Sequence, residues 1–371
     1  MTLMRHWPAT DLWYLSDVRR GSVPLAEALG AAMRRREFIS FVATAATAWP
    51  LAARAQQTAK PVIGFLSYSS QGAAQQSIAG FRQGLWQANF VEDDGLAIEY
   101  RWADGQYNRL PDLAADLVRL KVAVILAGGS PSALAAKAAT TTIPIVFTSG
   151  SDPVTIGLVE SLNRPGGNVT GVYELTNQLE AKRLGLLREL VPQANVIGAI
   201  VNPNQPNAVS VGKDLQEAAV AKGWRLHIVN ASNEGEIDAA FATISQLRVG
   251  ALVLGADTMF VSRREQIVAL AARYSIPAIY FAREFAASGG LATYGPNLAD
   301  AYRQAGVYTG QILKGAKPAD LPVVQSAKFQ FVINLQAAKK LGLTVSNAVQ
   351  LLADEVIEWG DLMSPPGPFL P

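Results

Sequence analysis

Small and polar side chains cluster where several predicted strands end, and they could bind a small anionic group. Gly129 and Ser130 follow one such strand and carry no bulky side chain that would keep a ligand from the backbone. Glycine allows close approach to backbone N–H groups, and the N–H groups at a helix start attract a carboxylate. The residues of the first half that we assign to a ligand site are Ser67, Tyr68, Gly129, Ser130, Thr148, Ser149 and Asp152.

Two of these residues have an equally plain structural interpretation. Ser130 precedes Pro131, and Asp152 precedes Pro153. Serine and aspartate are common N-caps, and proline is common at the first position of a helix. Ser130 and Asp152 could therefore cap helices, and both interpretations stay open.

Few residues in the chain could perform nucleophilic or metal chemistry. The absence of cysteine excludes disulfides, thiolate nucleophiles and sulfur-ligated metals. Beyond residue 55 the sole histidine is His227, in the middle of a predicted strand, where a packing or sheet-edge role is expected. Motifs of serine hydrolases, zinc proteases, P-loop proteins and dinucleotide-binding proteins are absent. We expect no enzyme, no cofactor and no metal, although a Ser-His-Asp triad needs no fixed spacing and stays open.

Length and composition predict a globular protein of two domains. The chain has 371 residues, half of them apolar, and can bury one or two substantial cores. Its formal charge is +2, but residues 1–55 hold seven arginines and four acids, which leaves −1 for the remainder. Without a basic patch, no nucleic-acid partner is expected.

Residues 33–55 have the order of an export signal. Three arginines at 34–36 precede an apolar run at 39–51, and a short A-x-A sequence ends at Ala55. The run is too short to span a bilayer, and the paired arginines fit the twin-arginine type. We predict a signal peptide cleaved after Ala55, a periplasmic mature protein, and a mis-assigned start that adds residues 1–32. An internal amphipathic helix is the alternative, and the export route stays open.

The sequence after residue 60 alternates short β-branched runs with helical periods, and this order occurs twice. The predicted strands are 61–66, 96–100, 122–126, 143–147, 196–201, 225–229, 251–254 and 277–280. The clearest later helices are 177–190, 206–221, 234–246, 260–274 and 302–313. Strands with little polar alternation, separated by helices, predict parallel sheets covered on both faces. One long sheet, two independent domains and two interleaved lobes all fit this pattern.

Several motifs make the resemblance to a known family specific. They are 128–137 (GGSPSALAAK), 143–147 (IPIVF), 151–154 (SDPV), 162–172 (LNRPGGNVTGV), 202–204 (NPN) and 310–315 (GQILKG). Over residues 60–358 the chain resembles the bacterial ABC-transporter substrate-binding proteins, a group that includes tryptophan and tyrosine binders.

That resemblance implies a type I periplasmic-binding-protein fold, in which two Rossmann-like α/β lobes with parallel sheets are joined by a three-strand hinge. The three crossovers would fall near 172–176, 283–291 and 319–323. The implied organisation is lobe 1 at 60–174 and 288–320, lobe 2 at 175–287 and 321–358, and a tail at 359–371.

The family likeness places a ligand cleft between the lobes, so residues of the second lobe also become candidates. An amino-acid ligand needs carboxylates for its ammonium group, and Asp257 and Glu284 could supply them; either could instead be a helix cap or a solvated charge. Tyrosine rings could stack on an aromatic or cationic ligand. The residues assigned on this side are Tyr173, Asn202, Asn204, Asp257, Tyr280 and Glu284.

The function implied is capture of a small molecule, with an aromatic amino acid as first choice, for an ABC importer. The expected partners are the ligand and an inner-membrane permease with its ATPase, and the protein is expected to be a monomer. A periplasmic sensor that presents its ligand to a membrane receptor is the alternative. A LacI-like regulator shares the lobes, but it should carry a helix-turn-helix domain where this chain has an export signal.

Overall fold

The computed structural model of the protein describes residues 60–176, 179–326 and 328–358. The predicted upstream extension, the signal peptide and the tail at 359–371 lie outside these residues. Across the described ranges, no helix has the length and apolar character needed to cross a membrane.

Short, mostly buried strands form the framework of the protein. In chain order they are β1 (Val62–Ser67), β2 (Val91–Glu92), β3 (Gly95–Trp102), β4 (Val124–Gly128), β5 (Ile145–Ser149), β6 (Val169–Tyr173), β7 (Val196–Val201), β8 (Arg225–Asn230), β9 (Ala251–Leu254), β10 (Ala278–Tyr280), β11 (Ala292–Pro296), β12 (Val324–Gln325), β13 (Phe329–Asn334) and β14 (Glu355–Ile357). The predicted β-branched runs coincide with strands of both halves.

Helices separate the strands, as the periodicity predicts. In chain order they are α1 (Gln75–Gln87), α2 (Leu110–Arg119), α3 (Ser130–Ala139), α4 (Glu180–Leu190), α5 (Ala208–Ala221), α6 (Glu234–Gln246), α7 (Thr258–Ser262), α8 (Arg264–Arg273), α9 (Arg283–Ala287), α10 (Leu298–Leu313), α11 (Leu335–Lys340) and α12 (Asn347–Gln350). Two short 3₁₀ helices occur at Tyr107–Arg109 and Pro318–Asp320. The single helix predicted at 260–274 is in fact two, since α7 ends before α8 begins.

The strands form two sheets of seven, one for each lobe. Their orders are β12-β6-β5-β4-β1-β3-β2 and β14-β13-β11-β10-β9-β7-β8. The first sheet is parallel throughout, and the second contains one antiparallel pair, β11 with β13. Every residue of β4, β5 and β9 is buried, because helices cover both faces of a parallel sheet. His227 lies in β8, an edge strand, which agrees with one of the two roles expected from the sequence.

The chain passes between the lobes after β6, after β11 and after β12. Two predicted lobe boundaries are wrong. Strand β11 pairs with β10 in the second sheet, although it falls inside the 288–320 segment predicted for lobe 1. Strand β12 pairs with β6 in the first sheet, although 321–358 was predicted for lobe 2. A short strand pattern predicts that a strand forms, but it does not predict which of two similar sheets the strand joins.

Helix α10 completes the first lobe by packing closely on α1. A Cβ atom on Gly84 of α1 would lie 1.9 Å from the carbonyl oxygen of Arg303 in α10. On Gly306 of α10 a Cβ would lie 2.3 Å from the carbonyl oxygen of Phe81. The backbones of the two helices therefore touch at glycines that no other residue could replace.

A buried arginine joins two of the passages between the lobes. Arg183 of α4 is fully buried and forms an ion pair with Glu180 at 2.6 Å. Its guanidinium also donates to the carbonyl oxygens of Thr176, in the first passage, and Tyr294, in β11, at 3.0 and 3.2 Å. Arg183 thus holds the two connecting segments together at the second lobe.

Candidate functional site

A cavity of about 80 Å³ lies between the carboxyl ends of the two sheets. The first lobe lines it with the loops after β1, β4 and β5 and with α10, and the second lobe with the loops after β9 and β10. The first passage between the lobes contributes Glu174 and Thr176. Open parallel sheets bind ligands at this edge, and both lobes must meet to enclose one.

The first-lobe wall contains an uncapped helix start. Gly129 precedes α3 with φ of +89° and ψ of 153°, and no side chain caps the helix. The helix begins at Ser130, so Ser130 does not act as its N-cap. Its hydroxyl instead lies 2.8 Å from the hydroxyl of Ser149 and accepts from the backbone N–H of Ser151 at 3.4 Å. The start of α3 therefore presents the positive end of a helix dipole to the cavity.

Three carboxyl groups line the same cavity. Burial raises the pKa of Glu174 to about 7, against the opposing effect of the Thr148 and Thr176 hydroxyls. Burial also raises the pKa of Asp257 to about 6 and raises that of Glu284. Among the described residues that line the cavity there is no lysine, arginine or histidine. The electrostatic character of the cavity is therefore acidic opposite the helix start.

Asp257 already has hydrogen-bond partners from both lobes. One oxygen caps α7 by accepting from the backbone N–H of Met259 at 2.7 Å. The other accepts from the hydroxyl of Tyr107 in the first lobe at 2.6 Å. The ring of Tyr107 stacks on Tyr68 with centroids 4.1 Å apart, which fixes the donor in place. Asp257 is thus a cap and a contact between lobes as well as a lining residue.

Two further hydrogen bonds connect the lobes at the rim of the cavity. The hydroxyls of Ser69 and Ser262 lie 3.3 Å apart, and the hydroxyl of Ser151 donates to the side-chain oxygen of Asn207 at 3.1 Å. Together with the Tyr107 contact, they show that the lobes are closed on each other in this structure.

The structure brings part of the predicted site together. The predicted residues that line the cavity are Ser67, Gly129, Ser130, Thr148, Asp257 and Glu284. The predicted residues that do not line it are Tyr68, Ser149, Asp152, Tyr173, Asn202, Asn204 and Tyr280.

Three tyrosines assigned to the cavity wall belong to the core instead. Tyr68 is buried, and its hydroxyl donates to the carbonyl oxygen of Gly105. Tyr280 is buried against the parallel ring of Phe285, with centroids 4.7 Å apart. Tyr173 is buried at the end of β6. Aromatic rings bury a large apolar area when they pack in a core.

The remaining four shape loops near the cavity. Asp152 accepts from the backbone N–H groups of Val154 and Thr155, at 2.9 and 3.2 Å, so it caps a turn. Asn202 accepts from the backbone N–H of Asn204 at 3.0 Å, and Asn204 itself is exposed. Ser149 is buried behind Ser130.

Sequence reasoning missed several lining residues, of which Glu174 and Tyr302 matter most. Glu174 follows Tyr173 directly, and the alternation of side chains along a strand could have placed one of the two towards the cavity. Tyr302 falls in the apolar period of a helix, which predicts a core residue. Gln205, beside the predicted Asn204, also lines the cavity and donates to the carbonyl oxygen of Ala256 at 2.9 Å.

No group of three or more histidine, cysteine, aspartate or glutamate residues in the described part of the chain is arranged to hold a metal ion. The acidic residues of the cavity therefore carry no sign of a metal centre. The arrangement can bind a ligand that carries both charges. The start of α3 suits a negative group of the ligand, and the carboxylates suit a positive one.

Comparison with known proteins identifies relatives along most of the chain. Residues 62–357 match the family model described as ABC transporter substrate binding protein. A tyrosine-binding protein of Clostridioides difficile is 29% identical over 279 residues, which cover 74% of this chain and 80% of that protein.

Two crystal structures are similar over their whole length. One is a conserved domain protein from Vibrio cholerae, at 28% identity and a TM-score of 0.74, covering 80% of this chain and 100% of that one. The other is an ABC domain from Streptococcus pneumoniae in complex with L-Trp, at 26% identity and a TM-score of 0.73, covering 81% and 100%.

Proposed function

Because the chain belongs to the ABC transporter substrate-binding protein family, we propose that it captures an amino acid between its lobes and delivers it to a membrane permease. The fold is that of the type I periplasmic binding proteins. In the proposed role the protein is exported, acts as a monomer in the periplasm and performs no catalysis. The permease and its ATPase then move the ligand across the inner membrane.

The observation that carries the proposal is the opposed charge of the two cavity walls. The uncapped start of α3 at Gly129 and Ser130 suits a carboxylate, and Glu284 on the other lobe suits an ammonium group. An α-amino acid carries both groups on one carbon, so it can contact both lobes at once. A ligand that bridges the lobes stabilises the closed state, because it gains contacts there that the open state lacks.

An aromatic amino acid is the ligand class that we propose first. The relatives whose names state a ligand are a tyrosine-binding protein and a domain in complex with L-Trp. In this chain the rings of Phe281 and Tyr302 line the cavity beside Leu298 and Val261. These side chains offer an apolar surface to the side chain of the ligand.

A thermal-shift screen of the mature protein tests the ligand class. A ligand at 100 times its Kd stabilises the native state by about 2.7 kcal/mol. L-Tyrosine, L-tryptophan or L-phenylalanine should therefore raise the Tm by several degrees. D-enantiomers and acidic amino acids serve as comparison compounds, and no shift with any amino acid would contradict the proposal.

Two variants connect that screen to the cavity. Glu284→Gln should weaken binding at least about tenfold, or 1.4 kcal/mol, because it removes a charged acceptor. Asp152→Asn is the matched control, since its carboxylate belongs to a turn that does not line the cavity. Equal affinities in the two variants would place the ligand elsewhere.

Delivery to a permease is tested in cells. A strain that lacks the gene should lose uptake of the radiolabelled ligand, and the wild-type gene should restore it. Restored chemotaxis or signalling without any change in uptake would instead assign the protein to a sensor.

A further inference from the structure

The cavity is lined by several acidic groups and by no basic side chain among the described residues. The acidic groups are Glu174, Asp257 and Glu284. In the ligand-free protein the acidic groups therefore lack a positive partner from the cavity wall. A proton bound by the carboxyl groups themselves would supply one.

Asp257 needs no further partner. Its two oxygens accept from Met259 and from the hydroxyl of Tyr107 at 2.7 and 2.6 Å. Burial raises the pKa of Asp257 to about 6, and these hydrogen bonds oppose that rise, so the carboxyl group is mostly ionised at neutral pH. The unbalanced acids are therefore Glu174 and Glu284.

Glu284 has an oxygen without a partner. Its Oε2 is buried and accepts no hydrogen bond from any described residue. Burial raises the pKa of Glu284, and the charges of Arg264 and Arg283 oppose that rise. Arg283 itself binds Glu355 at 2.5 Å, and Arg264 lies 3.6 Å from Glu265. A buried carboxylate oxygen without a donor is costly, so this atom is available to a ligand N–H group.

Glu174 is more than nine-tenths buried, and the described side chains that act on its carboxyl group are two hydroxyls and one acid. The hydroxyls of Thr148 and Thr176 favour its ionised form, whereas charge on Glu284 opposes ionisation. Tyr302 of α10 interacts with both glutamates, and burial raises the pKa of its phenol well above the usual range, so it stays neutral. Two neighbouring carboxyl groups in a low dielectric cannot both ionise easily.

We infer that Glu174 and Glu284 form one ammonium-binding pair, and that the ammonium group of the ligand replaces a proton that the pair holds in the ligand-free protein. This inference rests on the proposed function of the cavity. In the exchange the carboxyl group releases its proton to solvent as the ammonium ion enters, so the net charge of the pair with its bound cation does not change. The ligand keeps all of its own protons and donates through N–H groups.

The exchange makes capture dependent on pH in a definite direction. Below the pKa of the pair the ligand must displace a proton, so its Kd should rise about tenfold for each unit of falling pH. Above that value the pair is already ionised, and the affinity should be constant until the ammonium group of the ligand loses its own proton. Burial sets this boundary near pH 7, where Glu174 titrates.

The first test needs no ligand. The ligand-free protein, ¹³C-labelled at the δ-carboxyl carbon of glutamate, is titrated by NMR. One resonance should change its chemical shift with a midpoint near pH 7, and that resonance should be absent from the spectrum of Glu174→Gln. Burial should keep that pKa above the ordinary range in Glu284→Gln, but the pKa should be lower than in the wild type, because the like charge is removed. Glu217→Gln, on the exposed face of α5, is the control. A pKa of Glu174 in the ordinary range of glutamate, or a pKa that is the same in Glu284→Gln, overturns the inference.

The second test counts protons by calorimetry with L-tyrosine and L-tryptophan in two buffers of different ionisation enthalpy. About one proton should be released per ligand bound at pH 6, and almost none at pH 8.5. No release at pH 6 on binding overturns the inference while leaving the proposed function intact. If neither amino acid binds at either pH, the proposed ligand class is wrong, and the titration alone decides whether the pair holds a proton.

Discussion

Gly129 is the position where one substitution should separate folding from capture. Its φ of +89° and ψ of 153° lie in a region that only glycine adopts readily. Any side chain there should lower the free energy of unfolding by about 1–3 kcal/mol. The same residue faces the other lobe, because a Cβ built on it would lie 3.1 Å from Cγ2 of Thr258.

The steric effect grows with the side chain. In Gly129→Ala the new methyl group requires Thr258 to move by a few tenths of an ångström when the lobes close. In Gly129→Val two more methyl groups must fit between the lobes, so closure should be obstructed. We expect the Kd of an amino-acid ligand to rise at least about tenfold in the valine variant, or 1.4 kcal/mol.

Gly157→Ala is the matched control for backbone strain. Gly157 also has a positive φ, +73°, and lies in the first lobe, but a Cβ there would meet nothing within 4 Å. Urea denaturation should therefore show a loss of stability in both variants, whereas calorimetry should show a loss of affinity only at Gly129. Unchanged affinity in Gly129→Val, or equal losses of affinity at both positions, would refute the placement of the cavity.

Three further predictions follow from buried charges and from the export signal. Burial raises the pKa of Glu174 from 4.5 to about 7, so the folded state retains a proton that the unfolded chain releases between these values. The free energy of unfolding should thus fall by roughly 3 kcal/mol from pH 4.5 to 7 relative to Glu174→Gln, and parallel stability curves would contradict this. Arg183→Leu should lower stability by about 3–5 kcal/mol in urea denaturation, because it leaves Glu180 buried and unpaired; a loss below about 1 kcal/mol would contradict that role. Protein recovered from the periplasm should begin at Gln56 by N-terminal sequencing, and an intact Met1 would remove the export prediction.

The elements of the fold are readable from the sequence because strand and helix periods are local properties. Runs such as 196–201 and 251–254 are apolar along their whole length and form strands that are buried except at Val196. Once the strands are known, their carboxyl ends are known too, which is why Gly129, Ser130 and Asp257 could be assigned to the cavity region. Lobe membership is different, because the pairing of β11 and β12 depends on contacts with distant strands.

The role of a side chain at the edge of the cavity is harder to predict. Tyr173 and Glu174 are adjacent, and successive side chains along a strand point in opposite directions. An error of one residue in the predicted strand therefore changes which of the two faces the ligand. The predicted tyrosine is buried in the core, and the unpredicted glutamate lines the cavity. Burial between distant elements raises the pKa of Glu174, and the charge of Glu284 adds to that rise; no local pattern in the sequence records either effect.

The contact between α1 and α10 also constrains how the protein can be made and divided. The chain builds the sheet of the first lobe early, but α10, which covers that sheet, follows the entire strand series β7–β11 of the second lobe. During synthesis the first lobe therefore stays unfinished until most of the chain has left the ribosome, and long-range closure of this kind slows folding. No single cut yields two self-sufficient lobes. Any split version of the protein must exchange elements between its fragments to regain the native fold.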